Sequence, residues 1–230
     1  MKHLACIMSG NRRWALQNKC SLLQGYQEGF RAIERAIDFC LEKKIIYLSG
    51  YAFSLENFRR PLEQQKMLFS FLAHHATKKS IKKFKKKQVQ VCFLGDQSVF
   101  SVQVQKACSF IAKETAISSP QLQLNLLFGY GGQQELVAGI KKMIPDIKSG
   151  KIAESVLTEK ILENYLWTKD IPPPDLIFRP DNDQRLSGFF LYQSAYSELY
   201  FSDCMWPAVN NDVLEEAYAY FHRCQRNFGR

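Results

Sequence analysis

The chain has 230 residues, of which 46% are hydrophobic and 23% are charged. This balance excludes a disordered, collagen-like or fibrous heptad protein and is typical of a globular domain. The longest apolar runs are far shorter than the ~20 residues that cross a bilayer. Leu4–Met8 is too short for the apolar core of a signal peptide, so we expect a cytoplasmic protein.

The formal net charge is +9, from 31 Lys and Arg against 22 Asp and Glu. A basic balance suits an anionic partner: nucleic acid, an anionic membrane surface or a phosphorylated small molecule. No recognised nucleic-acid module is present, so we expect no nucleic-acid partner. The seven cysteines are widely spaced and include no C-x-x-C pair, which disfavours zinc-knuckle and redox motifs and predicts buried thiols in a reducing cytosol.

Six segments are rich in β-branched and aromatic residues or alternate in polarity, which predicts strands. In chain order they are His3–Met8, Ile45–Phe53, Val89–Leu94, Leu122–Phe128, Leu176–Phe178 and Glu198–Phe201. Apolar residues at helical spacing, with proline and capping signals, predict helices between and after them. These span Gln24–Lys44, Pro61–Lys87 (through Met67, Phe71 and Ala76), Gln97–Ile117, Gln133–Ile147, Leu157–Trp167 and Asn211–Arg226. The alternation predicts one α/β domain, residues 1–230, with a mostly parallel six-stranded sheet flanked by helices.

Ligands of an open parallel sheet bind in the loops that follow the carboxyl ends of its strands. Three such loops carry many polar side chains: a first loop (Ser9–Trp14), a second loop (Ser54–Pro61) and a third loop (Arg179–Ser187). A glycine-rich segment, Gly129–Gly132, breaks the chain after the fourth predicted strand.

In the first loop, Gly10 allows close approach of the backbone to a ligand. Arg12 and Arg13 can meet phosphate oxygens in fork geometry. A helix that starts beyond this loop would add partial positive charge. The alternative is a surface turn with two solvated arginines.

The second loop brings together a hydroxyl, a carboxamide, an aromatic ring and a basic pair. Asn57 could hold a leaving or an incoming group. The alternative is the start of a capped helix, with Ser54 or Asn57 as the cap.

In the third loop, Arg179 and Arg185 flank Asp181 and Asp183. Arginines suit a diphosphate, and carboxylates suit Mg²⁺, which takes oxygen ligands. The alternative is a polar loop whose charges pair with one another.

In order and spacing, these loops resemble the motifs of the cis-prenyltransferase family. His3–Ala15 resembles H-x-x-x-x-M-D-G-N-G-R-W-A, Phe53–Pro61 resembles F-S-x-E-N-W-x-R-P, and the third loop resembles R-T-x-G-E-x-R-L-S-N-F. Asn125–Gly132 and the tail Gln193–Phe201, followed by Trp206-Pro207, are also similar to family motifs. The resemblance covers nearly the whole chain.

The resemblance implies a six-stranded parallel sheet, a deep hydrophobic tunnel and a homodimer. It implies condensation of isopentenyl diphosphate with an allylic diphosphate, with Mg²⁺ as cofactor. By this resemblance, the first loop (Gly10, Asn11, Arg13) would hold the allylic diphosphate. The second loop (Ser54, Asn57, Arg60) would assist ionisation and proton removal. Arg179, Arg185 and Ser187 hold isopentenyl diphosphate, and Glu198 completes the Mg²⁺ site. Their neighbours in the same motifs are included as substrate-binding candidates: Arg12, Trp14, Glu56, Phe58 and Leu186.

Several family positions differ in this chain. Ser9 stands at the Asp position, and although it remains a catalytic and metal-ligand candidate, a hydroxyl is a poor substitute for a carboxylate as a magnesium ligand. Leu22 and Tyr26 stand where the family has Arg and His that contact diphosphate. Other replacements are Arg12 for Gly, Phe58 for Trp, and Pro180-Asp181-Asn182-Asp183 for a Thr-Gly-Gly-Glu-like stretch.

Three interpretations of these differences remain open. The first is regular prenyl transfer in a rebuilt site, where Arg12 restores positive charge and Asp181 or Asp183 restores a carboxylate. The second is irregular coupling of two allylic diphosphates. The third is a catalytically weak subunit that partners an active chain. The product length and the allylic starter are not readable from the sequence.

A run of seven lysines lies within Lys78–Lys87. A helix here would bury Ile81 and Phe84 and project most lysines outward. The run is then either a solvated helix face or a peripheral contact with an anionic membrane near the tunnel, where a long lipid product must leave.

Overall fold

Six strands form one sheet in the computed structural model, which describes residues 1–75 and 77–227. The strands are β1 (His3–Cys6), β2 (Tyr47–Ser54), β3 (Val89–Leu94), β4 (Leu122–Tyr130), β5 (Leu176–Arg179) and β6 (Glu198–Phe201). Their order is β3-β4-β2-β1-β5-β6, and all five pairings between neighbours are parallel. The predicted six-stranded sheet is therefore confirmed.

Eight α-helices surround this sheet in the part of the chain that the structure describes. They are α1 (Asn11–Gln17), α2 (Leu22–Glu42), α3 (Leu62–His75), α4 (Lys78–Lys86), α5 (Val102–Thr115), α6 (Gly132–Lys148), α7 (Glu159–Glu163) and α8 (Asn211–Arg223). The helices fill the crossovers that parallel strands require.

Helix α2 begins two residues earlier than predicted because of its cap. The Gln24 N–H donates to Ser21 Oγ (3.2 Å), and the Ser21 N–H donates to Gln24 Oε1 (2.8 Å). In this capping box the glutamine is the third helical residue rather than the first. The buried face of α2 carries small and apolar residues that pack against the central strands and α8.

The prediction of one helix over Pro61–Lys87 is wrong, because the chain forms two helices there. Thr77 has an extended backbone (φ −111°, ψ 155°), and its Oγ1 accepts the Ser80 N–H (3.3 Å) as the cap of α4. Ala76, which the prediction placed inside the helix, lies outside the described residues.

Several other boundaries differ from prediction. Gln97–Val99 is a 3-10 turn, and α5 starts only after Ser101, whose side chain caps it by accepting the Val104 N–H. Helix α7 is a short segment of the predicted Leu157–Trp167. Helix α1 begins within the first loop, and the strand predicted to end at Phe128 continues to Tyr130.

Aromatic rings fill the layer between β2, β4 and the helices α3 and α5. Phe100 stacks on Phe128 with ring centroids 4.3 Å apart, and Phe53 contacts Phe58, Phe69 and both of these rings. Such pairs contribute about 0.5–1.5 kcal/mol each beyond the area they bury. They fix the strand that carries the second loop.

All seven cysteines are free thiols. Cys6, Cys40 and Cys108 are buried, as expected, whereas the other four are only partly buried. Among the described helices, none combines the length and the apolar character needed to cross a bilayer.

A buried hydrogen-bond network around His3 links β1 to β2 near the amino-terminal ends of these strands. His3 has no exposed surface; its Nδ1 lies 2.7 Å from the Pro172 carbonyl oxygen and its Nε2 lies 2.7 Å from Ser49 Oγ. Nδ1 must carry the proton because a carbonyl only accepts, so Nε2 accepts the Ser49 hydroxyl. Burial lowers the pKa of His3 to about 4, and the imidazole is neutral at pH 7.

We expect His3 to make stability depend on pH. Unfolded histidine binds a proton below about pH 6.5, whereas folded His3 does so only near pH 4, so the free energy of unfolding falls as the pH drops through this window. The full loss is about 3 kcal/mol, from about 1.36 kcal/mol per pKa unit. Urea unfolding of wild type and His3→Gln should show a steeper pH slope for wild type.

The matched control is His222→Gln, at an exposed histidine of α8, which should keep the wild-type slope. Parallel pH profiles for wild type and His3→Gln would contradict a neutral buried His3.

Candidate active site

The three predicted loops meet at one edge of the sheet. They follow β2, β1 and β5, which are adjacent and parallel, so their carboxyl ends lie side by side. Between the loops is a cavity of about 440 Å³, here called the polar cavity. Ten predicted site residues line it: Ser9, Gly10, Asn11, Arg12, Arg13, Ser54, Asn57, Arg60, Arg179 and Ser187.

Five other predicted residues of these loops do not line the polar cavity. Phe58 packs into the aromatic layer, 5.1 Å from Phe53 between ring centroids, and Leu186 packs against a core cluster. Glu56 is exposed and accepts a hydrogen bond from Gln134 Nε2 (3.5 Å). Trp14 lies on α1, and the Arg185 side chain is 64% exposed.

Glu198 lies at the opposite end of the sheet. It begins β6 and pairs in register with Leu176, the first residue of β5. Its carboxylate is 3.7 Å from Arg226 Nε. Within one chain, Glu198 therefore lies at the end of the sheet away from Ser9, and the joint assignment of both residues to one metal ion stays a prediction.

Glycines fix the geometry of the first loop. Gly10 has φ 97°, and a Cβ there would lie 3.0 Å from Met205 Cβ and 3.1 Å from Asp181 Cγ. A Cβ on Gly25 of α2 would lie 2.6 Å from the Asn11 carbonyl oxygen, so glycine at this position lets α1 lie against α2. Asn11 Nδ2 donates to the Met8 carbonyl (3.0 Å), while Oδ1 is buried and has no hydrogen-bond partner among the described residues.

The second loop combines a cap with a cavity wall. The Ser54 N–H donates to Asn57 Oδ1 (3.3 Å) at the start of a 3-10 helix, Leu55–Arg59. The segment is therefore the start of a capped helix and also a wall of the polar cavity. Arg60 Nη1 donates to the Tyr26 hydroxyl (3.4 Å). Tyr26 lines the cavity, whereas Leu22 is not among the lining residues.

In the third loop, three arginines converge on one carboxylate. Asp183 accepts from Arg179 Nη2 (2.9 Å), Arg185 Nη1 (2.7 Å) and Arg13 Nη2 (3.3 Å). Burial acts to raise the pKa of Asp183, but the Arg13 hydrogen bond and the neighbouring charges outweigh it and hold the pKa below its usual value. The alternative of a loop whose charges pair with one another describes this arrangement.

Asp181 is the second carboxylate of the third loop. Its side chain is 2% exposed and forms an ion pair with Arg13. Burial raises the pKa of Asp181, and the charge of Arg13 offsets this only in part. Neither Asp181 nor Asp183 is among the residues that line the polar cavity.

These residues do not fit a magnesium ion held by the protein alone. None of the described residues that line the polar cavity carries a carboxylate, and no metal-binding group of three or more His, Cys, Asp or Glu occurs in the described part of the chain. Ser9 Oγ donates to the Pro180 carbonyl (3.3 Å). Arginines pair with both Asp181 and Asp183, and a role of either carboxylate as a metal ligand stays a prediction.

An apolar cavity of about 170 Å³ adjoins the polar one. Phenylalanines and aliphatic residues of α2, α3 and the sheet line it, among them Phe30, Phe71 and Phe128. Both cavities share a boundary of five residues: Met8, Asn11, Tyr26, Ala52 and Leu68. The site therefore offers basic and apolar walls side by side.

Sequence reasoning missed Tyr51, which lines the polar cavity and donates to the Tyr130 carbonyl (3.3 Å). The register of β2 against β4 shifts between Tyr51 and Phe53 and again between Phe53 and Ser54. The strict alternation of side chains therefore breaks where the strand reaches the site. A single sequence carries no signal of such a shift.

A family model described as "Putative undecaprenyl diphosphate synthase" matches residues 7–229. The chain belongs to this family. The resemblance predicted from the loop motifs is thereby confirmed.

Two curated relatives are similar over the whole chain. A tritrans,polycis-undecaprenyl-diphosphate synthase (geranylgeranyl-diphosphate specific) of Thermoplasma acidophilum is 39% identical, over 100% of this chain and 89% of the relative. A ditrans,polycis-undecaprenyl-diphosphate synthase ((2E,6E)-farnesyl-diphosphate specific) of Legionella pneumophila, strain Paris, is 36% identical, over 100% and 95%. The two relatives differ in their starter, so the family match does not select one.

The fold is also similar to the crystal structure of lavandulyl diphosphate synthase from Lavandula x intermedia in complex with dimethylallyl diphosphate. The TM-score is 0.94 at 26% sequence identity, and the match covers 100% of this chain and 98% of the other.

We expect Arg179 to matter more than Arg185 for binding of a diphosphate. The Arg179 side chain is 4% exposed and lines the cavity, whereas Arg185 is exposed and outside it. Arg179→Ala should weaken binding of inorganic pyrophosphate about tenfold to hundredfold, on the scale of a charge-assisted hydrogen bond. Arg185→Ala should cost only a few-fold, and Arg185→Lys less, as isothermal titration calorimetry can show.

Arg31→Ala is the control, since Arg31 is exposed on α2, pairs with Glu28 and does not line the polar cavity. Unchanged affinity in Arg179→Ala would remove the third loop from the site.

Proposed function

We propose that the chain is an isoprenyl transferase that condenses isopentenyl diphosphate with an allylic diphosphate to give a cis-polyprenyl diphosphate. The observation that carries this proposal is the contact between an arginine-lined cavity and an apolar cavity at the carboxyl edge of the sheet. Such a pair suits a ligand with an anionic head and a hydrocarbon tail. The family match supports the same activity.

Arginine is suited to the ionisation step. As the allylic carbon–oxygen bond breaks, negative charge grows on the departing diphosphate, and preorganised cationic donors stabilise that charge. Arg12, Arg13, Arg60 and Arg179 line the polar cavity. We assign the first-loop residues to the allylic diphosphate, and Arg179 and Ser187 to isopentenyl diphosphate.

Proton removal follows formation of the carbon–carbon bond. No carboxylate or imidazole occurs among the described residues that line the polar cavity, so we assign the proton to an oxygen of the released diphosphate. Asn57 Oδ1 is engaged by Ser54, so Asn57 offers its Nδ2 donors to that diphosphate. Magnesium, expected from the resemblance, remains a proposed cofactor for which the substrates' phosphate oxygens must supply most ligands.

A second candidate is irregular coupling of two allylic diphosphates. Its support is the TM-score of 0.94 to lavandulyl diphosphate synthase, whose structure holds dimethylallyl diphosphate. A catalytically weak partner subunit is the third candidate, and the retained lining of the polar cavity by all three loops favours a working site instead. The homodimer implied by the resemblance remains a proposal.

Labelled isopentenyl diphosphate tests these candidates. With Mg²⁺ and farnesyl diphosphate, we expect incorporation of label into longer products, and Arg179→Ala should abolish most of it. Product without any isopentenyl diphosphate, from dimethylallyl diphosphate alone, would support irregular coupling instead. No turnover with either starter would contradict the enzymatic proposal and favour the partner subunit.

We also propose that α4 contacts an anionic membrane surface. All seven lysines of Lys78–Lys87 are exposed, while Ile81 is buried and Phe84 partly buried. Three lysines pair with Glu34, Glu114 and Asp38, which leaves Lys78, Lys79, Lys82 and Lys86 without an ion pair among the described residues. A groove of about 840 Å³ between α2, α3 and α4 shares Phe30, Phe71 and Phe84 with the apolar cavity.

Neutralising the four lysines should weaken membrane binding. Each basic residue near an anionic surface contributes about 1 kcal/mol, so the fourfold Lys→Gln variant should lose on the order of a thousandfold in vesicle affinity. The measurement is cosedimentation with vesicles that contain phosphatidylserine. The matched control changes four exposed lysines elsewhere to Gln: Lys106, Lys113, Lys148 and Lys160.

Equal loss in both variants would show that net charge, not the α4 surface, determines binding.

A further inference from the structure

Asp181 lies where the first and third loops touch. Its carboxylate is close to Gly10, and the adjacent Pro180 carbonyl accepts the hydrogen bond from Ser9 Oγ (3.3 Å). The Asp181 N–H donates to the Cys204 carbonyl (2.8 Å), which anchors the backbone. The residue thus connects two loops of the site.

The backbone at Asp181 is strained. Its φ is 82°, and that of Asn182 is 53°, a region that side chains with a Cβ rarely adopt. Glycine would take this conformation at no steric cost. The chain instead places a nearly fully buried carboxylate there, which requires a compensating interaction.

That interaction is the ion pair with Arg13. Arg13 lines the polar cavity and pairs with Asp181, which is not among the lining residues. The Arg13 side chain is 54% exposed, and a long exposed side chain has many rotamers unless a partner fixes it. The first loop has no acidic residue of its own to do so, since its residues are Ser9, Gly10, Asn11, Arg12, Arg13 and Trp14.

We propose that Asp181 is a positioning residue that holds Arg13 at the cavity wall with its remaining N–H donors directed to a diphosphate. Asp183 also accepts from Arg13 Nη2 (3.3 Å), but that contact is the longer of the two and the Asp183 carboxylate is shared with Arg179 and Arg185. The third loop then supplies, through Asp181, the carboxylate that the first loop lacks at Ser9. This inference rests on the proposed function, which provides the diphosphate.

The charge of Asp181 can also act against diphosphate binding. A negative charge near an anion site repels the anion, so a carboxylate that only competes with the diphosphate for Arg13 would weaken diphosphate binding. Removal of Asp181 lowers diphosphate affinity if the residue positions Arg13, and raises it if the residue competes.

The experiment compares Asp181→Asn and Asp181→Gly with wild type. Binding of inorganic pyrophosphate is measured by isothermal titration calorimetry in EDTA, and stability is measured by thermal unfolding. We expect both variants to bind about tenfold more weakly, on the scale of one charge-assisted hydrogen bond. The Gly variant should melt at or above the wild-type temperature because the backbone strain is relieved.

In an Arg13→Ala background, Asp181→Gly should cause no further loss of affinity, because the effect acts through Arg13. Asp170→Asn, at an exposed aspartate outside the cavity, is the matched charge control and should bind as wild type. Ser9→Asp added to Asp181→Gly returns a carboxylate to the same contact and should recover most of the affinity.

Unchanged or tighter binding in Asp181→Asn would overturn the inference and leave the proposed function standing. Parallel losses of affinity and melting temperature in Asp181→Gly would assign Asp181 a structural role and also overturn it. Absence of pyrophosphate binding in wild type would overturn both this inference and the proposed function.

Discussion

The site depends on a concentration of positive charge at the carboxyl ends of the central strands. Parallel strands in the order β2-β1-β5 bring Arg60, Arg13 and Arg179 around one cavity, and guanidinium groups this close repel one another unless anions lie between them. Asp181 and Asp183 supply negative charge through their ion pairs with Arg13 and Arg179. A substrate diphosphate bound in the polar cavity would supply further negative charge to the same arginines.

The two aspartates of the third loop have two interpretations from sequence alone. Carboxylates two residues apart in a loop suit a metal ion, and the same residues suit ion pairs with nearby arginines. Only the fold decides, because Arg13 comes from a loop 168 residues away in the chain. Once paired, neither carboxylate lines the cavity, and the chain presents arginines rather than acids to its ligand.

Much of the sheet could be predicted, because buried parallel strands are short apolar runs whose pattern is local. The ends of the helices could not be predicted from the sequence, because the break at Thr77 and the short length of α7 depend on capping and tertiary contacts. The loops of the site were predictable because they follow strand ends, whereas the assignment of Glu198 rested on its motif and not on its position at the start of β6. Tyr51 was missed because the strand pattern does not show which of its side chains reach the cavity.

We propose that the three loops form one diphosphate site built from arginines. A crystal structure of the chain with inorganic pyrophosphate, in the absence of metal, tests this proposal. We expect pyrophosphate in the polar cavity, with oxygens about 3 Å from the guanidinium groups of Arg13 and Arg179, and Asp181 still paired with Arg13. Pyrophosphate bound elsewhere, or an empty cavity at saturating concentration, would contradict it.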